Sequence, residues 1–441
     1  MTVTENQVSK RGTMWSTVPA STTARRSTNP IRMVLEKMDA MRATLSATTE
    51  RKDSPPSPAP LKLSLGDPTV FGNLDTHPAV TEAVSRQLHS CRANGYGPGH
   101  GFEVARAAIA QKYSRPEAPL TAEDVILTSS CSGALDLVFT CMAEPGQNIL
   151  LPNPCFSLYN TQCHAKGIQV REYRLLPQCN WEADLDHMAS LIDKNTAAIL
   201  INNPSNPCGS VFTKDHLLAI LAICEQYHVP LIADEIYADI VFGNYPTTDP
   251  DVATPVQFHP VATLTTTVPV LSVGGLAKQW LVPGWRLGWI TIHDRNQLFA
   301  EVRRGLHALT MLILGPNTMV QKALPDIFAN VPASHLENLV QTLHRHAQIC
   351  QKYLECVPGL KVIMPQGAMY MMVSADPTQF HEIEDDVDFA SRLNVEEAVE
   401  LLPGQCFNYR NYLRITLTPP PEVLTEACQR IARFCARYYR A

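Results

Sequence analysis

Lys278 follows a short apolar run, stands among Gly274, Gly275 and Gly284, and is followed by Arg286 eight positions on. A primary amine bonds reversibly to an aldehyde, and glycines let backbone approach a flat ring closely. Three other polar clusters accompany it: SSCSGA at 129–134, NNPSNPCG at 202–209 and DEIY at 234–237. The first opens a helical stretch, whose free N–H groups and positive end suit a phosphate.

Each cluster alone has a plain structural reading. Ser130 and Ser132 cap a helix, Asn-Pro pairs make turns, Asp234 is an ion-paired carboxylate and Lys278 a surface charge. Taken together they are the parts that hold pyridoxal 5′-phosphate and use its ring as an electron sink. In that reading Lys278 bonds to the cofactor aldehyde, and Asp234 pairs with the pyridine nitrogen and keeps it protonated. Tyr237 and Asn206 hydrogen-bond the ring oxygen, and the planar fork of Arg286 clamps the phosphate.

The elements that must position these groups are read from hydrophobic pattern. Apolar, β-rich runs at 125–128, 148–151, 169–173, 197–202, 230–233, 268–273 and 287–292 alternate with helical stretches such as 132–143, 217–227 and 299–309. That alternation predicts crossover units and an α/β fold with a mostly parallel, seven-stranded sheet flanked by helices. In such a sheet ligands bind beyond the carboxyl ends of the strands, which is where the four clusters fall. A long helix at 335–357, strands within 361–374 and 413–417, and a closing helix at 422–438 predict a smaller α+β domain. The expected division is an arm and linker over 1–73, a large domain over 74–328 and a small domain over 329–441.

The 441 residues are 45% hydrophobic and 18% charged, an ordinary globular balance, and the net charge of −6 offers no basic face for nucleic acid. The expected partners are small molecules, with no nucleic acid and no membrane. No apolar run approaches the roughly 20 residues that span a bilayer; the longest, at 217–224, suits a core helix. Thirteen scattered cysteines without CxxC pairs imply neither a disulfide framework nor a zinc site, and no metal is expected. Residues 1–28, rich in Ser and Thr with Lys10, Arg11, Arg25 and Arg26, read as a flexible arm or a transit segment. The expected location is cytoplasmic, with a mitochondrial one as the alternative. The proline-rich stretch 54–60 reads as an extended linker.

The motifs NGYGPGHG (94–101), LTSSCSGALDL (127–137), NNPSNPCGSVF (202–212), ADEIYADIVF (233–242), GGLAKQWLVPGWRLGW (274–289) and LRIT (413–416) resemble those of the fold-type I pyridoxal-phosphate aminotransferases. Within that group the stretch around Lys278 resembles the tyrosine branch. The resemblance implies transfer of the amino group of L-tyrosine, and of other aromatic amino acids, to 2-oxoglutarate or pyruvate by a ping-pong route. It makes Lys278 the Schiff-base lysine and proton shuttle, Arg414 the grip on the substrate α-carboxylate and Phe156 the aromatic stacked on the cofactor. Cys131 belongs with Ser130 to the phosphate cradle, and Gly66 lies in the segment closing over substrate beside Asn206. Tyr96 reaches the phosphate of a neighbouring subunit, which implies a homodimer.

Three positions depart from the family pattern. Ser130 stands where glycine is common, Gln279 where the animal tyrosine branch carries arginine, and Gly275 where the wider group carries a phosphate-binding serine, so Ser272 is expected to serve instead. The competing readings are an aminotransferase preferring alanine, methionine or leucine, a lyase or decarboxylase using the same cofactor, and an idle binding protein on the same fold.

Overall fold

The computed structural model describes residues 17–49, 59–244 and 256–440. Residues 1–16 of the N-terminal stretch and 54–58 of the proline-rich stretch lie outside them. Eight strands form the large sheet: β1 Val125–Ser129, β2 Asn148–Asn153, β3 Gln169–Leu176, β4 Glu182–Ala183, β5 Thr196–Asn202, β6 Leu231–Asp234, β7 Val270–Gly275 and β8 Leu287–His293. Their spatial order is β1-β8-β7-β6-β5-β2-β3-β4. Seven match the apolar runs of the sequence. The eighth, β4, is a two-residue edge strand too short to leave a periodic signal, so the sheet exceeds the expected seven.

The run β7-β6-β5-β2-β3 is parallel throughout, and its central strands are buried along their length, as expected for a sheet covered on both faces. β8 runs antiparallel between β1 and β7. Its start therefore lies at the same sheet edge as the ends of the parallel strands. The pairing of Ser129 with Leu287 then sets Arg286 beside Ser130.

The helices follow local rules. The helix Lys214–Tyr227 starts where the Thr213 hydroxyl accepts the N–H of His216 and stops at left-handed His228. At the far end of the chain, β9 Leu360–Val362, β10 Tyr370–Ala375, β11 Leu402–Pro403 and β12 Tyr412–Thr416 form an antiparallel sheet in the order β9-β10-β12-β11. The helices Ala333–Leu354 and Pro421–Tyr438 pack on each other. Leu343, Ala347, Cys350 and Leu354 of the first and Leu424, Cys428, Ile431 and Cys435 of the second recur at helical spacing and are buried in one core.

Within the N-terminal stretch read as arm and linker, residues Pro30–Thr49 form a helix packed against the helix Asp386–Glu397. Its Ile31, Val34 and Leu35 rest on Leu402, Cys406 and Phe407. Their spacing of three and one is helical, a signal that was available in the sequence. No helix among the described residues is long and apolar enough to cross a membrane.

Candidate active site

The carboxyl ends of β1, β2, β5, β6 and β7 converge with the start of β8 on a cavity of about 340 Å³. Of the residues singled out in the sequence, Ser130, Cys131, Phe156, Asn206, Asp234, Tyr237, Lys278 and Arg286 line it from the large sheet. Gly66 and Arg414 line it from the other side. The amine of Lys278 donates to the Gly66 carbonyl at 2.7 Å and lies 5.7 Å from the centre of the Tyr237 ring.

Asp234 ends β6 and is 3% exposed. The Tyr159 hydroxyl donates to its Oδ2 at 2.6 Å, and the Ile236 N–H and Cys131 thiol donate to Oδ1 at 3.2 and 3.7 Å. Burial raises the carboxyl above its ordinary range. The Tyr159, Ile236 and Cys131 donors and the charge of Lys278 pull it back. A carboxylate so desolvated gains strongly from a cationic partner in the cavity.

The helix Ser130–Met142 begins at the end of β1 with no side-chain cap at Ser129, so its first-turn N–H groups face the cavity without an intrahelical partner. Ser130 carries φ +73°, a left-handed conformation that favours glycine. Here the serine is kept and used: Arg286, itself left-handed, donates from Nη2 to the Ser130 hydroxyl at 2.7 Å and from Nη1 to the Pro283 carbonyl at 3.0 Å. Gly288 permits this approach, since a Cβ there would collide with the backbone of Ser130 and Cys131.

Opposite, Arg414 on β12 is 3% exposed and donates to Asn206 Oδ1 at 3.0 Å and to the Ser64 carbonyl at 2.6 Å. Its guanidinium lies 4.3 Å from the Tyr370 ring centre and 4.8 Å from that of Phe407. No carboxylate among the described residues pairs with it, and its Nε has no partner. A buried guanidinium left without an anion is built to receive one.

One expected residue, Ser272, is not brought here, and Tyr96, expected at a neighbouring subunit's site, lies outside this cavity. Ser272 lies inside β7, and the pleat sends successive side chains to opposite faces. Its neighbour Val273 pairs with Asp234 on the cavity face, so Ser272 faces away. It lines a separate cavity of about 230 Å³ with Glu235, Thr291 and His293. Tyr96 is 92% exposed and outside the cavity. Gln279 bonds Asp239 at 3.0 Å.

Sequence reasoning also missed Tyr159, Tyr370 and Ser64. Tyr159 lies three residues after Phe156, whose carbonyl accepts its N–H where the chain enters the helix, and that nearness was the available clue. Tyr370 sits in a strand of apolar neighbours and reads as core.

The family model for aminotransferase class I and II matches residues 58–431. This chain belongs to the class I and II aminotransferases. The aminotransferase is 47% identical to tyrosine aminotransferase of Homo sapiens over 431 residues, covering 97% of this chain and 89% of that one. It is 39% identical to tyrosine aminotransferase of Dictyostelium discoideum, with 98% of each chain covered. A crystal structure of tyrosine aminotransferase from Leishmania infantum superposes with a TM-score of 0.86 at 33% identity, covering 97% of this chain and all of that one. The resemblance read from the motifs is borne out.

Proposed function

We propose that this aminotransferase moves the amino group of L-tyrosine, and of other aromatic amino acids, to a 2-oxo acid such as 2-oxoglutarate or pyruvate. One arrangement carries the reading: the Lys278 amine, the buried Asp234 carboxylate and the anion-free Arg414 guanidinium open on one cavity. The tyrosine aminotransferases among its relatives support the donor.

The donor set fits pyridoxal 5′-phosphate. The uncapped helix start, Ser130 and Arg286 supply cationic and N–H donors for a phosphate, and the desolvated Asp234 carboxylate suits a protonated pyridine nitrogen. Phe156 offers an aromatic face for the ring, and Tyr237 with Asn206 donors for its oxygen. When bound, the group supplies an aldehyde for amine exchange and a ring that takes up the electron pair left when the α-hydrogen departs.

The chain's own residues do the rest. Arg414 grips the substrate α-carboxylate through two charge-assisted bonds and so fixes the α-carbon. Lys278 takes the α-proton on Nζ and returns it during product formation. Ile31, Leu65 and Leu402 give the aromatic side chain apolar surface and exclude water. 4-Hydroxyphenylpyruvate leaves before the 2-oxo acid enters, so one site serves both half-reactions.

The proposal includes a homodimer, with Tyr96 reaching the partner's phosphate site. Met311, Leu312, Ile313 and Leu314 are 60, 79, 63 and 52% exposed, and the loop holding Gly99 touches Met311. Four large apolar side chains exposed in a row suit an interface. Leu312→Asp is expected to shift the protein toward monomer in sedimentation velocity; an unchanged dimer would place the interface elsewhere.

The deciding experiment is visible absorption of protein loaded with pyridoxal phosphate, recorded before and after L-tyrosine without acceptor. A band that bleaches with tyrosine and recovers with 2-oxoglutarate or pyruvate in the parent, and is missing in Lys278→Ala, is expected. A parent band that ignores tyrosine and answers alanine moves the donor.

A further inference from the structure

Tyr370 enters the site from β10, the small-domain sheet, and is 1% exposed. It pairs with Thr416 while Met372 pairs with Arg414, so Tyr370 and Arg414 are diagonal neighbours on one face of the antiparallel pair. That register lays the guanidinium against the ring at 4.3 Å. The hydroxyl meets a different group: Tyr370 Oη and Tyr237 Oη are 3.0 Å apart. A Cβ on residue 66 would collide with the same hydroxyl, so glycine at 66 is what lets the phenol in, and the carbonyl of Gly66 holds Lys278 Nζ.

One side chain thus touches the carboxylate-binding arginine with its face and the cofactor-facing tyrosine with its edge, next to the segment that holds the lysine. We propose that Tyr370 is a positioning residue of the aminotransferase, its ring fixing Arg414 and its hydroxyl donating to Tyr237. The inference rests on the reading that Tyr237 donates to the ring oxygen of pyridoxal phosphate.

The direction of the phenol pair follows from charge. Tyr237 has one proton, and a hydrogen bond to a charged ring oxygen is roughly twice as strong as one to a neutral phenol. Tyr237 would direct its O–H to the ring oxygen of a bound cofactor and accept a hydrogen bond from Tyr370. Donation by Tyr370 strengthens Tyr237 as a donor in turn, since linked hydrogen bonds polarise one another.

The test separates hydroxyl from ring. Parent, Tyr370→Phe, Tyr237→Phe and the double variant are loaded with pyridoxal phosphate, and visible absorption is titrated against pH. Without the Tyr370 hydroxyl the ring oxygen is less well stabilised as an anion, so the Tyr370→Phe midpoint is expected to rise by about half a unit to one unit. The double variant is expected to titrate like Tyr237→Phe alone, because the effect passes through Tyr237. A Tyr370→Phe midpoint equal to or below the parent's, or a double variant whose shift is the sum of the two, overturns the hydroxyl's role.

Tyr370→Phe keeps the ring, so KM for L-tyrosine should stay within about twofold, whereas Tyr370→Leu is expected to raise it roughly tenfold. Equal KM in the Leu variant and the parent overturns the ring's role. A parent with no visible band at all overturns the cofactor reading beneath the inference, an outcome distinct from a failure confined to the Tyr370 variants.

Discussion

Tyr159 and Asp234 meet across 2.6 Å, the tyrosine hydroxyl donating to a carboxylate that is buried at the end of a parallel strand. Burial raises that carboxyl, so its contribution to stability is complete below the ordinary value of 3.8 and is lost as pH rises through the raised value. Above that raised value, without a cationic ligand, the ionised group therefore detracts from stability. Asp234→Asn removes the charge and keeps the partners: Oδ1 still accepts from Ile236 and Cys131, and Nδ2 donates to Tyr159. The apoprotein is expected to melt higher than the parent at pH 7, with the gap closing as pH falls toward 4, while kcat/KM drops on the order of 10²–10³-fold. Thermal melts of apoprotein across pH check it; a gap independent of pH would mean that burial of charge is not the cause.

Arg414→Lys keeps a cation but loses the fork. Arg414 already spends two nitrogens on Asn206 and Ser64, which fix the guanidinium at the cavity wall, where the proposed function has it meet the substrate carboxylate. An ammonium cannot keep both bonds and still face the substrate. KM for L-tyrosine is expected to rise about 10–100-fold, the range for a lost hydrogen bond to a charged group, and KM for the 2-oxo acid should rise with it. A change in one substrate only would show that the two carboxylates bind at different places.

Much of this site was legible in the chain because strand ends advertise themselves. Asp234 ends an apolar run, Ser130 follows one, and Lys278 and Asn206 come within a short turn of one, and the parallel fold brings such ends together without any long-range detail. What was not legible depends on pleat and register. Ser272 differs from Val273 by one position, and that one position decides which face of the sheet it serves. Tyr370 reaches Arg414 only because β10 and β12 pair in a register no local pattern specifies. Likewise Arg286 meets Ser130 because β8 turns antiparallel beside β1, and the left-handed backbone of Ser130 is the physical reason for expecting a glycine there.

Gly288 is the backbone condition for that meeting. A Cβ at 288 would run into the carbonyl carbon of Ser130 and the nitrogen of Cys131, atoms of a helix start that cannot move without shifting the N–H groups proposed to hold the phosphate. Gly288→Ala is expected to destabilise the apoprotein by about 1–3 kcal/mol, the usual cost of overpacking, and to raise the dissociation constant for pyridoxal phosphate at least tenfold. Urea unfolding and a cofactor titration measure the two effects. Parent-like behaviour in both would show that strand and helix are less closely fitted than the structure has them.

Glu235 follows Asp234 and faces the second cavity, where it accepts the Val261 N–H at 3.0 Å. Burial pushes its carboxyl up to about 7, against the pull of the Val261 N–H and the Ser272 hydroxyl; Asp234 and Asp239 push further in the same direction. Because the folded value lies above the ordinary one of 4.5, its contribution is whole below about 4.5 and is lost as pH rises through about 7. Glu235→Gln carries no such proton. Relative to the parent, the Gln variant is expected to gain stability progressively between pH 5 and about 7 and to hold a constant advantage above it, with visible absorption of the loaded enzyme unchanged because the residue lies on the far face of the sheet. Denaturant unfolding at several pH values follows the difference. A flat difference across that window would show that the fold does not hold the carboxyl above its ordinary value, and a changed spectrum would show that the two faces of the sheet communicate.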